Sequence, residues 1–130
     1  MLLKSIDHIT INAKNINESI DFYTKLFELE KQNIVDMGDH KLYYLGLPEK
    51  CRLEFISYDN PGNTLQTSNI DLGIYRHVAF YVDSVEEVRR RCAEMNVKIN
   101  LGPLYIEKLN CTILLIEDPN GVELELIEKA

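Results

Sequence analysis

Four side chains in this sequence have the types and spacing of a metal centre: His8, Glu54, His77 and Glu125. The histidines stand sixty-nine positions apart in matching phrases, DHITINAKNINE and RHVAFYVDSVEE, and the glutamates seventy-one apart in RLEFI and ELELI. Imidazole is a borderline ligand suited to Zn, Ni, Co and Fe, and carboxylates add charge that offsets the metal's. Two of each leave coordination positions for water or substrate, which is the catalytic arrangement rather than the closed structural one. A lone histidine at a strand start is usually a hydrogen-bonded surface or core residue, and a lone glutamate in a strand is usually solvated. The paired recurrence of both types overturns that expectation. His40, in GDHK, has no counterpart in the repeat and reads as a solvated turn residue.

The elements that must position these residues follow from local pattern. HITINA alternates as a strand, Asn15 caps a helix with Glu18 three residues on, and Ile16, Ile20, Tyr23, Leu26 and Phe27 fall at helical spacing as far as about Leu29. KQNIVDM and KLYYLGL read as strands joined at Gly38-Asp39, and CRLEFIS as a fourth. The second half repeats the order. HVAFYV is a strand, and Ser84 caps a helix carrying Val85, Val88, Cys92 and Met95. VKINLG and CTILLIE follow as strands, DPNG as a turn and VELELIE as the last strand. Each half therefore reads β-α-β-β-β. The reading is a single domain, with module one over about 4–58, a loop over about 59–73 and module two over about 74–130. Alternation sets Glu54 and Glu125 opposite the Leu and Phe of their strands, on a more polar face. If each sheet curves, that face lines a trough.

The totals bound the partners. A chain of 130 residues with 45% apolar residues can bury a core. A net charge of −7 with no Lys/Arg-rich run argues against nucleic acid or an anionic membrane. The apolar runs are too short to span a bilayer, and MLLKSIDHITI lacks an h-region and a cleavage site, so secretion is not expected. Three cysteines without CxxC spacing, Cys51, Cys92 and Cys111, fit free thiols in a reducing cytoplasm.

The stretches DHITINAKNINESIDFYTKLFELE, RLEFI, RHVAFYVDSVEE and DPNGVELELIE resemble the vicinal oxygen chelate superfamily, also called the glyoxalase/bleomycin-resistance/dioxygenase group. The resemblance covers almost the whole chain. It implies an α+β fold in which two tandem βαβββ modules form a curved, incomplete mixed β-barrel with flanking helices. It implies that His8, Glu54, His77 and Glu125 hold a divalent metal (Ni, Zn or Co). The His-Glu-His-Glu set resembles the glyoxalase I-like (lactoylglutathione lyase-like) branch. Ring-cleaving dioxygenases and fosfomycin-resistance enzymes lack a carboxylate at the Glu54 position, and bleomycin-sequestering proteins lack the ligands altogether. The implied activity is a metal-dependent isomerase or lyase acting on an α-hydroxycarbonyl thiol adduct through a metal-bound enediolate, with Glu54 or Glu125 moving the proton. The implied partners are a small-molecule substrate and a second copy in a homodimer. Alternatives on the same fold are a CoA-thioester epimerase, for which Arg52, Arg76 and Lys108 are scattered phosphate-binding candidates, and a metal-free drug-sequestering protein. Bacterial glyoxalase I commonly carries Arg four residues after its first His and Asn four residues after its first Glu; here Asn12 and Tyr58 stand there. The thiol carrier is left open.

Overall fold

A computed structural model describes residues 1–130. The chain divides into two compact units, Met1–Asn63 and Thr64–Ala130. The first contains β1 (His8–Asn12), α1 (Ile16–Phe27), β2 (Lys31–Asp36), β3 (His40–Gly46) and β4 (Arg52–Tyr58). The second contains β5 (Val78–Tyr81), α2 (Val85–Met95), β6 (Ile99–Ile106), β7 (Cys111–Glu117) and β8 (Glu123–Lys129). Each unit carries one helix and one four-stranded mixed sheet, ordered β1-β4-β3-β2 and β5-β8-β7-β6. In each, the first strand lies parallel to the last and the other pairings are antiparallel. The βαβββ pattern of both halves is therefore present, and neither sheet closes on itself as a barrel.

Both helices start where the sequence places them. Asn15 Oδ1 accepts from the Glu18 amide at 3.2 Å, and Ser84 Oγ accepts from the Glu87 amide at 3.1 Å, satisfying donors that the first turn leaves open. Loss of one such cap costs about 1 kcal/mol. Ser84→Ala should therefore lower the urea midpoint by that equivalent with the slope unchanged. α1 stops two residues before the expected Leu29, because Glu28 adopts the left-handed conformation (φ 59°) and breaks the helical hydrogen-bond run. β6 runs past the expected end at Gly102 to Ile106, crossing a bulge.

Each helix covers one face of its own sheet. In the first unit Phe22, Tyr23 and Leu26 are buried together with Leu45, Leu53 and Phe55, and the Tyr23 and Phe55 rings lie 5.3 Å apart. In the second, Val85, Val88 and Cys92 meet a sheet whose buried residues include Leu114, Ile116, Leu124 and Leu126. Full burial of each such side chain contributes roughly 1.5–3 kcal/mol. All three cysteines are free thiols. Burial pushes the Cys92 thiol up to about 11, whereas Cys51 is only half-buried. At pH 8 a thiol reagent should modify Cys51 first and reach Cys92 only on unfolding; equal rates for both in the native protein would contradict this packing.

Candidate metal centre

His8 opens β1 and pairs in register with Arg52, while Thr10 pairs with Glu54 and Tyr44 of β3 pairs with Glu54 from the other side. Directly opposed residues of neighbouring strands point to the same face. Glu54 therefore lies between two hydroxyls. Thr10 Oγ1 donates to Glu54 Oε1 at 3.0 Å, and the Tyr44 hydroxyl donates to Glu54 Oε2. This satisfies a carboxylate that is only 6% exposed. The bond to Glu54, followed by burial, raises the Tyr44 phenol above its ordinary value. His8 Nε2 faces Glu54 Oε1 at 3.7 Å.

The other nitrogen of His8, Nδ1, lies 2.6 Å from Asp7 Oδ2, and Arg52 Nη2 reaches the same oxygen at 2.9 Å. His8 first and then Arg52 hold the Asp7 carboxyl below the usual carboxylate range. An ionised carboxylate only accepts, so the ring donates its Nδ1 proton to Asp7, and in the neutral tautomer that fits this contact Nε2 is the atom open to a ligand. The Arg52 guanidinium also sits 4.3 Å above the Tyr44 ring. Asp7, which the sequence does not sort between surface and support, is thus the residue that orients His8.

In the second unit His77 stands one residue before β5 rather than inside it. Its Nε2 lies 2.7 Å from Glu125 Oε2. Its Nδ1 is buried without a hydrogen bond, 3.4 Å from Glu123 Oε1. Glu123 is reached in turn by Arg76 Nη2 at 3.5 Å and Asn100 Nδ2 at 3.2 Å. The support of the two histidines is charge-swapped across the repeat. Asp7 and Arg52 occupy the positions that Arg76 and Glu123 occupy in the second unit, so either strand can supply the carboxylate behind the imidazole. The turn that delivers Glu123 and Glu125 is DPNG. Asp118 Oδ1 accepts from the amides of Asn120 and Val122, at 2.8 and 2.9 Å, and Gly121 takes φ 83°.

The structure thus brings His8 to Glu54 and His77 to Glu125. Each unit supplies one imidazole and one carboxylate, and no group of three or more His, Cys, Asp or Glu side chains is gathered as a metal cluster. The 2.7 Å between His77 Nε2 and Glu125 Oε2 is hydrogen-bond distance. A divalent cation, which binds the deprotonated forms of both groups, would take the place of that shared proton. This donor chemistry fits the metals that the resemblance implies.

His40 is not the solvated residue its sequence context suggests. It is the first residue of β3, half-buried, with Nδ1 2.6 Å from Asp39 Oδ1 and its ring 5.0 Å from that of Tyr58. Alternation already places Glu123 on the face of Glu125, but the side chains that sequence reasoning missed, Thr10 and Tyr44, have no motif of their own. Only strand register identifies them. A cleft of about 220 Å³ between α1 and β2–β3 touches Tyr44 but neither His8 nor Glu54.

The family model for the Glyoxalase/Bleomycin resistance protein/Dioxygenase superfamily matches residues 5–126. The chain belongs to that superfamily. It is 30% identical to a lactoylglutathione lyase of Neisseria meningitidis serogroup A over 94% of this chain and 88% of that one. It superposes with a TM-score of 0.81 on the glyoxalase family protein from Enterococcus faecalis, at 25% identity, covering 98% of this chain and 100% of that one. The trypanothione-dependent glyoxalase I of Leishmania major shares the fold, with a TM-score of 0.77 at 21% identity over 98% of this chain and 88% of that one. No helix is long and apolar enough to cross a membrane.

Proposed function

We propose that this protein is a divalent-metal-dependent isomerase or lyase of the glyoxalase I type, with His8, Glu54, His77 and Glu125 as the metal ligands and Ni, Zn or Co as the metal. The observation that carries the reading is that one arrangement occurs twice. An imidazole Nε2 faces a strand carboxylate, and the imidazole's Nδ1 faces a second carboxylate backed by an arginine. Such outer carboxylates fix ring orientation and raise ligand basicity. The bound cation supplies Lewis-acid stabilisation of negative charge on two neighbouring substrate oxygens. The chain's own part is proton movement. A glutamate carboxylate takes the proton from the hydroxyl-bearing carbon of an α-hydroxycarbonyl thiol adduct and returns it to the adjacent carbonyl carbon. That carbon becomes the alcohol, the first becomes the thioester, and no oxidant is needed.

Two observations shape the substrate. Arg52 and Arg76 are each already paired with a carboxylate, which counts against the CoA-thioester reading, since a nucleotide phosphate would have to displace those partners. Asn12 and Tyr58 replace the polar pair expected for glutathione, and the Tyr58 ring is taken up by His40. This favours a thiol carrier other than glutathione, in line with the trypanothione dependence stated for the Leishmania neighbour. The homodimer belongs to this reading, supported by the exposed apolar side chains Leu65, Ile70, Leu72 and Tyr75 in the segment that precedes β5. Sizing chromatography should give twice the chain mass.

The test is turnover of methylglyoxal with glutathione, trypanothione and coenzyme A, each in the presence of Ni, Co or Zn. Activity with one metal–thiol pair, absent in chelator, is the expected result. A protein that binds metal yet turns over no pair would reject the isomerase reading.

A further inference from the structure

We propose that Asp7, Thr10, Tyr44 and Arg52 are positioning residues that lock the His8 and Glu54 side chains for metal binding, with hydroxyl donors that have no counterpart around Glu125. The inference rests on the metal reading above and concerns how unequal its two duplicated halves are.

In the first unit the contacts form a closed ring. Asp7 holds His8 Nδ1 at 2.6 Å and Arg52 Nη2 at 2.9 Å. Arg52 covers the Tyr44 ring at 4.3 Å, and the Tyr44 hydroxyl donates to Glu54. Glu54 faces His8 Nε2 at 3.7 Å, and Thr10 holds that same Oε1 at 3.0 Å. Both carboxylate oxygens are therefore tied to hydroxyl donors, and a rotamer change would break two hydrogen bonds inside a buried site. The repeat supplies the internal control. The cross-strand neighbours of Glu125 are Ala79 and Leu115. They stand at the positions of Thr10 and Tyr44 and carry no hydroxyl. The Glu125 side chain is about twice as exposed as that of Glu54 (17% against 8%), and its Oε2 meets His77 Nε2 at 2.7 Å rather than a hydroxyl. A ligand held in one rotamer loses no rotamer entropy on binding metal and keeps its oxygen aimed. Removing the donors should therefore act on the metal, not only on folding.

The experiment uses the full chain loaded with Co(II). It records the visible d–d spectrum, which reports ligand geometry, and the rate of metal transfer to excess chelator. Wild type is compared with Tyr44→Phe, Thr10→Val, Thr10→Ser and, in the second unit, Leu115→Met. Tyr44→Phe and Thr10→Val should release cobalt about 10- to 100-fold faster, the range typical for lost outer contacts to metal ligands, with a changed band. Thr10→Ser, which keeps the hydroxyl, and Leu115→Met should match wild type. Wild type that takes up cobalt while Thr10→Val releases it at the wild-type rate overturns this inference and leaves the metal reading standing. So does a Thr10→Ser variant as fast as Thr10→Val, because the methyl packing and not the hydroxyl would then matter. Wild type that takes up no cobalt overturns the metal reading and this inference together. If Tyr44→Phe fails to fold, the Thr10 pair still decides.

Discussion

Glu54→Gln and Glu125→Gln should each remove most of the stabilisation that a divalent metal gives the wild type. A ligand present at a hundred times its dissociation constant stabilises the folded state by about 2.7 kcal/mol, and the same concentration at one dissociation constant gives about 0.4 kcal/mol. Loss of one charged ligand that weakens binding about a hundredfold would move the protein between those two values. Turnover should fall by roughly 10²–10⁴-fold, the range of a lost acid–base group, and further in whichever variant lost the proton carrier. The metal-free proteins should differ from one another. Glu54→Gln would turn an NH₂ group toward one of two buried hydroxyl donors that now meet carboxylate oxygens, costing about 1–3 kcal/mol. Glu125 has no hydroxyl on either flank, so Glu125→Gln should cost less than about 1 kcal/mol. Melting temperatures with and without Ni or Zn measure all of this. Equal metal-induced shifts in wild type and both variants would mean that neither carboxylate touches a metal.

That difference between the glutamates marks where sequence reading stops. The histidine and glutamate pairs are visible because they are the same residue types at a fixed offset, and helical or alternating periodicity places them on strands beside caps such as Asn15 and Ser84. Their supports change type across the repeat. Asp7 and Arg52 swap charge with Arg76 and Glu123, and Thr10 and Tyr44 become Ala79 and Leu115. A pattern search for sameness passes over such positions. What makes them neighbours is register, Thr10 opposite Glu54 opposite Tyr44, and register depends on strand pairings that no local pattern encodes. His40 misleads for the same reason. Its turn-like context is local, whereas its burial comes from Tyr58, its cross-strand partner.

Gly102→Ala should destabilise the protein on the order of 3 kcal/mol, although Gly102 lies in an edge strand far from any motif. In sequence, Gly102-Pro103 looks like the end of a strand. In the fold, β6 crosses the dipeptide with a register shift between Leu101 and Leu104 and pairs again as far as Ile106. Pro103 lies within that register shift and has no paired residue across the ladder, the kind of place on an edge strand where proline is tolerated. The crossing requires Gly102 at φ 94°, a region L side chains rarely adopt. A methyl group there would also lie 2.5 Å from the Ile113 carbonyl oxygen and 3.3 Å from the Leu114 Cα. Both atoms are backbone of β7, which cannot yield without disturbing its pairing with β8, where Leu115 lies opposite Glu125. Gly62 provides the contrast, since a methyl group there meets nothing within 4 Å and its φ is unexceptional. Gly62→Ala should be neutral or stabilising by up to about 1 kcal/mol through the unfolded chain alone. Urea midpoints for the two variants should therefore fall on opposite sides of wild type or nearly so. A Gly102→Ala midpoint equal to that of Gly62→Ala would show that β6 can re-route around the bulge without strain on β7.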